Sequence, residues 1–144
     1  MTAAESRELH ELVERYAQAV DRADGAAVAE LFADDGVLAL WMVPGSDEQT
    51  GERVGPAEIA TVGDGLRRYV ATHHTISSHT SVVDGMHAQG ETLCTAHHVE
   101  EAEGKRIDKV LYLRYLDVFT RTTDGWRFAR RELHVQWQST LPVD

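Results

Sequence analysis

The sequence predicts one α+β domain in which a strongly bent antiparallel sheet packs around three N-terminal helices. Apolar residues recur at helical spacing in the first half of the chain and alternate with polar ones in the second. Asp84-Gly85, Glu103-Gly104 and Asp124-Gly125 then divide the second half into long segments rich in Thr, Val, Tyr, Phe and Trp, as hairpin turns divide strands. With 144 residues, 42 % of them hydrophobic, there is apolar mass for one core and too little length for two, so a single domain spans 1–144.

From Ala3 to Ala23, Leu9, Leu12, Val13, Tyr16, Ala17 and Val20 recur at spacings of three and four, which predicts an amphipathic helix. Asp24-Gly25 interrupts it, with Asp24 ending this helix or capping the next. A short second helix is expected over Ala26–Phe32, stopped by Ala33-Asp34-Asp35-Gly36. Val37–Val43 is the first strand candidate, and a polar loop runs on to Val54. Gly55-Pro56 opens a third helix to about Ala71, proline being tolerated in the first turn. Strands are then expected over Thr72–Val83, Ala88–Glu101, Val110–Arg121 and Trp126–Trp137, forming an antiparallel meander. A bent sheet cannot interlock with a helix along its whole length, so a cavity between them is where a ligand would sit.

Charge narrows the partners. Asp and Glu number 24 against 14 Lys and Arg, and the formal charge of −10 repels nucleic-acid phosphates and anionic membranes. No apolar run approaches the roughly 20 residues of a membrane span, and Met1–Glu11 lacks the pattern of a secretion signal, so a cytoplasmic protein is expected. The single cysteine, Cys94, fits a reducing compartment and reads as a small buried strand residue rather than a nucleophile.

Five of the eight histidines fall in two adjacent strand candidates: His73, His74, His79, His97 and His98. Side chains alternate across a strand, so only one of each His-His pair faces the cavity. On parity Thr72, His74, Ile76 and Ser78 share one face, while His73, Thr75, Ser77 and His79 share the other. In the next strand the small, neutral face of Ala88, Gly90, Thr92, Cys94 and Ala96 includes His98, which favours His98 over His97 for the interior. Asp21 lies one turn after Ala17, on the shoulder of the apolar stripe, and Tyr16 is near the middle of that stripe.

At this point the motifs are specific enough to compare. Tyr16-Ala17-Gln18-Ala19-Val20-Asp21-Arg22-Ala23-Asp24 with Leu31-Phe32-Ala33-Asp34-Asp35-Gly36 resembles the opening of SnoaL-like domains, a branch of the nuclear-transport-factor-2-like superfamily that includes scytalone dehydratase. The resemblance implies a cone-shaped barrel fold without a cofactor, and a role for Asp21 as catalytic base or orienter of one. Thr72-His73-His74-Thr75 resembles the family's Thr-x-His strand, which places the catalytic imidazole on His74. A second histidine facing the pocket from the next strand falls on His98. Bile-acid dehydratases of the same branch use a Tyr-x4-Asp pair, here Tyr16 and Asp21. Asp124-Gly125-Trp126-Arg127-Phe128 and Trp137 resemble the end of scytalone dehydratase. The tyrosine before the aspartate is Val20 here, and its partner on the first strand falls near Leu40, so scytalone itself is not the expected substrate.

The implied chemistry agrees with the residue types. An imidazole oriented by a carboxylate in a dry pocket can move protons at neutral pH, as dehydration and isomerisation require. Tyr115 or Tyr16 could donate to a developing enolate, and Arg131 could orient a ligand carbonyl or carboxylate. No dinucleotide fingerprint, phosphate loop or nucleophile elbow is present. The expectation is a dehydratase or isomerase acting on a small apolar polycyclic, polyketide-, steroid- or terpenoid-like molecule, with no metal. The alternatives are a non-catalytic binding protein of this fold, and a metal enzyme using Asp21, His74 and His98 as two-His-one-carboxylate ligands. Self-association, most simply as a dimer, is expected through the outer sheet face, where Trp126 or Phe128 would join Tyr112.

Overall fold

The structure is a computed structural model describing residues 1–144. In chain order it contains α1 (Ala3–Asp21), α2 (Gly25–Glu30), β1 (Phe32–Trp41), β2 (Gly51–Val54), α3 (Gly55–Ala60), α4 (Val62–Leu66), β3 (Ala71–Asp84), β4 (His87–Ala102), β5 (Lys105–Thr122) and β6 (Gly125–Val143). A capping box starts α1: the Thr2 hydroxyl accepts from the Glu5 N–H, and the Thr2 N–H donates to the Glu5 carboxylate. Leu9, Leu12, Val13, Tyr16, Ala17 and Val20 are buried on its inner face. The helix stops where Ala23 adopts a φ of 53°, and Asp24 then caps α2 by accepting the Ala27 N–H at 3.0 Å. Gly25 is required there, because a Cβ would overlap the Ala60 carbonyl oxygen of α3.

The expected third helix is broken into α3 and α4 at Thr61, whose hydroxyl turns back on the Glu58 carbonyl at 2.6 Å. The first strand begins at Phe32 rather than Val37. Its Ala33–Gly36 stretch, expected as a turn, is a register irregularity between Phe32 and Val37. The short edge strand β2 lies inside the segment expected as loop.

The sheet is an open, mixed one of six strands in the order β2-β1-β6-β5-β4-β3. The meander β3–β6 is antiparallel throughout, whereas β1 runs parallel to β6, with Val37 opposite Arg130 and Trp41 opposite His134. The α+β class with a bent sheet around N-terminal helices therefore holds, without closure of the barrel. Phe119, Phe128 and Trp126 are at most 1 % exposed; the two phenylalanines pack with Phe32 and Tyr16 under α1, and Trp126 belongs to the same core.

Three bulges correct the strand parity assumed from the sequence. In β3 the register shifts between Ile76 and Ser78, so Ser77 is an extra residue and His79 returns to the inner face with His74. In β6 the shift at Ala129 lets Phe128 and Arg131, three apart, both face inward. Trp126 and Phe128, which precede that bulge, are buried core residues, not outer-face anchors. In β6 a further shift at Gln136 turns Trp137 to the outer face, where it stacks on Tyr112 at 4.4 Å and is 58 % exposed.

Candidate active site

Between α1, α4 and the concave sheet lies a cavity of about 220 Å³. Its walls are mainly aliphatic, from Val20, Leu38, Leu40, Val62, Leu111 and Leu133. Tyr16, His74, His98 and Tyr115 line it as well. A wider hollow of about 790 Å³ lies between α2, α3 and the β5–β6 turn, but no histidine or tyrosine lines it. The smaller cavity, where ionisable groups meet apolar walls, is the chemical candidate.

Asp21, at the last turn of α1, stands behind His74 rather than on the cavity wall. Its Oδ1 is 2.7 Å from His74 Nδ1 and accepts the Thr72 hydroxyl at 3.0 Å, while Oδ2 accepts the His74 backbone N–H at 2.9 Å. Burial alone would raise this carboxyl, but the His74 ring, the His74 N–H and Thr72 outweigh it and hold it below the usual carboxylate range. An ionised carboxylate only accepts, so Nδ1 carries the proton of a neutral His74 and Nε2 keeps its lone pair. The His74 side chain is 6 % exposed.

His98, on β4, meets His74 edge to face at 5.5 Å and lies 5.0 Å from the Tyr69 ring. Burial, then the neighbouring His74, push its pKa down, so it rests neutral at neutral pH. Its Nδ1 faces the Lys109 carbonyl at 3.3 Å; donation there leaves Nε2 as an acceptor. Burial pushes the phenols of Tyr16 and Tyr115 up, so both stay protonated donors.

Asp21, His74 and His98 do not converge as three metal ligands, since Asp21 is turned onto His74. Cys94 is buried in β4 and its thiol is pushed up to about 12 by burial, which keeps it protonated. Arg131 does not reach the cavity. It is fully buried in a two-pronged pair with Asp117, Nε to Oδ1 at 2.9 Å and Nη2 to Oδ2 at 3.3 Å, and its guanidinium lies 3.7 Å from the Tyr115 ring centre and 4.2 Å from that of Tyr16. A strand register shifted by the Ala129 bulge puts it under the tyrosines, where it supports them instead of meeting a ligand.

A second pair of the same type occupies the other side of the sheet. His97 Nδ1 is 2.6 Å from Asp108 Oδ2, and Asp108 Oδ1 accepts the His98 N–H at 3.1 Å. Alternation along β4 therefore sends one imidazole to each face, and only His98 shares the cavity with His74. Sequence reasoning missed Tyr69, Arg68 and Arg53 on the cavity wall. Arg67-Arg68-Tyr69, a cationic-aromatic run just before the histidine strand, was the available signal; Arg53 was hidden in an expected loop.

The SnoaL-like domain family matches residues 1–132. No curated protein matches the sequence. Among solved structures, an NTF2-like protein with a cystatin-like fold from Novosphingobium aromaticivorans is 26 % identical, with a TM-score of 0.72 over 90 % of this chain and 80 % of that one. A scytalone dehydratase-like protein of the same species is 21 % identical, with a TM-score of 0.77 over 96 % and 88 %. Hexachlorocyclohexane dehydrochlorinase LinA type 3 from Novosphingobium barchaimii is 14 % identical, with a TM-score of 0.77 over 94 % and 88 %. The last two likenesses concern the fold. No helix is long and apolar enough to cross a membrane. With the family match running through α1, both histidine strands and into β6, the chain belongs to the SnoaL-like domain family.

Proposed function

We propose that this protein is a cofactor-independent lyase or isomerase that moves a proton on a small, largely apolar polycyclic, polyketide-, steroid- or terpenoid-like molecule. One observation carries the reading: an imidazole fixed by a carboxylate, with its free nitrogen on the wall of an aliphatic cavity. Such a pair is costly in apolar surroundings unless it is used or fully bonded, and the His74 Nε2 has no protein partner. His74 Nε2 takes a proton from the carbon beside an activating carbonyl. Asp21 holds the ring and supports the imidazolium, acting as a positioning residue. Tyr16 or Tyr115 donates to the developing enolate oxygen. His98, neutral with Nε2 as an acceptor, takes the hydrogen bond of the substrate hydroxyl and orients it, and acts as second proton carrier only by accepting a proton at Nε2. In a dehydration the proton gained by His74 can then be returned to the departing hydroxyl, so the step needs no external acid.

Fold relatives that include a scytalone dehydratase-like protein and a dehydrochlorinase support an elimination over other proton transfers. We also propose self-association through the outer face around Tyr112 and Trp137, and a cytoplasmic location. The test uses tetralone- and decalone-type β-hydroxyketones in D2O, with NMR following both loss of the acidic C–H and formation of the alkene. His74→Ala should lower exchange at least about 10²-fold with a smaller effect on binding. Chelator should leave it unchanged. Exchange that survives His74→Ala favours a passive binding protein; exchange abolished by chelator and restored by a divalent cation favours a metal enzyme.

A further inference from the structure

One charged group on the cavity wall is not used by the proton chemistry. Arg53, on β2, is half-buried and lines the cavity. Its Nε donates to the Thr61 hydroxyl at 3.0 Å, and Thr61 is itself held by the Glu58 carbonyl, so the guanidinium is anchored at one end. Neither terminal nitrogen bonds a protein group, and no carboxylate oxygen lies within the 4.0 Å of an ion pair. The acids nearby are engaged elsewhere: the Glu58 carboxylate accepts the Val54 N–H at 3.2 Å, and Glu52 faces Arg130 at 4.0 Å. Seven of the chain's twelve arginines stand in ion pairs, among them Arg106–Glu101, Arg114–Glu91, Arg121–Glu5 and Arg130–Glu132, and Arg53 is one of the five that do not. Arg68, which covers the Tyr69 ring at 4.9 Å, is the second cation on the wall and also lacks an acidic partner. Burial raises the Tyr16 phenol; Arg131, and more weakly Arg53, act against that rise.

We propose that Arg53 binds a carboxylate on the ligand through its two terminal nitrogens, with Arg68 at the mouth, so that the substrates are apolar ring compounds bearing one carboxylate. This rests on the cavity being the ligand site, as in the function proposed above. A planar guanidinium with one end anchored presents a fixed fork that matches a carboxylate in two places, which a lysine or a mobile surface arginine would not. A net charge of −10 opposes capture of any anion, so an unpaired arginine inside the cavity is the element that would reverse the local field. The aliphatic walls take the ring body, and the acid group fixes which carbon faces His74.

The probes are 2-naphthoate, its neutral isostere 2-naphthamide, and 2-naphthyl phosphate, titrated calorimetrically into the wild type, Arg53→Gln and His74→Gln. The wild type should bind the carboxylate about tenfold or more tightly than the amide. In Arg53→Gln that preference should collapse toward unity with amide binding retained, which also shows that the cavity is intact. In His74→Gln the preference should persist. Equal binding of acid and amide by the wild type, binding of neither, tighter binding of the phosphate, or a preference that survives Arg53→Gln would each overturn the proposal. The preference stands independently of turnover: its presence without any C–H exchange would refute the proton-transfer function and leave the carboxylate site in place.

Discussion

Arg131 offers the most exposing test of the packing beneath the cavity. Both members of the Arg131–Asp117 pair have side chains with no exposure to solvent, and they meet through two hydrogen bonds of 2.9 and 3.3 Å. Arg131→Met keeps the bulk against Tyr16, Tyr115 and Phe128 but leaves the Asp117 carboxyl alone in an apolar layer. Breaking a buried pair from one side costs about 3–5 kcal/mol, a large share of the 5–15 kcal/mol that stabilises a domain. For a chain of this size that is a fall in Tm of roughly 12–20 °C, at about 4 °C per kcal/mol. The sign of the pH dependence follows. Burial already pulls Asp117 upward, and without Arg131 its folded pKa rises further above the unfolded one, so the folded state is favoured while the proton is bound and loses stability as pH rises. The variant should therefore be more damaged at neutral pH than in mild acid, by up to about 1.4 kcal/mol per pH unit between the two pKa values. Adding Asp117→Leu removes the stranded charge and should recover most of the loss. Urea unfolding followed by tryptophan fluorescence and far-UV circular dichroism measures all four corners of the cycle. A loss below about 1 kcal/mol in the single variant, or a double variant no better than the single, would refute this account.

His79 has its pKa lowered to about 4 by burial, then by the charges of His10 and Arg131, and its Nε2 is buried without a partner. The unfolded chain takes up this proton near 6.5 and the folded one only near 4, so stability falls as pH drops through that window; screening at a half-buried site reduces the full ~3 kcal/mol to about 1–2 kcal/mol. His79→Leu should lose that part of the acid sensitivity in urea midpoints compared at neutral pH and near pH 4.5, and an unchanged difference would count against it. Gly25→Ala should cost at least about 2 kcal/mol or prevent folding, because the new methyl meets the Ala60 backbone rather than a side chain that can move. Trp137→Glu should leave the Tm nearly unchanged, since the side chain is exposed, yet reduce the species seen by light scattering to a single chain; a wild type that already scatters as a 16.0 kDa particle would end the idea of a dimer.

The elements most legible in the sequence were those whose signal is local. The buried stripe of α1 is written in its three-and-four spacing, and the hairpins of β3 to β6 in their Gly-containing turns, because helical and strand periods are short-range properties of the backbone. The candidate site was legible where a motif and the geometry coincide: Asp21 closes a helical turn on the inner face, and His74 and His98 fall on inward positions before any bulge intervenes. Beyond a bulge the same parity argument failed. One extra residue at Ser77 brings His79 inside, and one at Ala129 buries Arg131 under the tyrosines it was expected to join at the ligand. A bulge is decided by how two strands and the helix above them fit together, so no pattern within one strand announces it. The parallel pairing of β1 with β6 is likewise settled by where a distant strand comes to rest, and so are the exchange of Trp126 and Phe128 for Trp137 on the outer face and the arrival of Arg53 at the cavity. Short-range periodicity determined which residues could face the interior; only long-range packing decided which of them meet there.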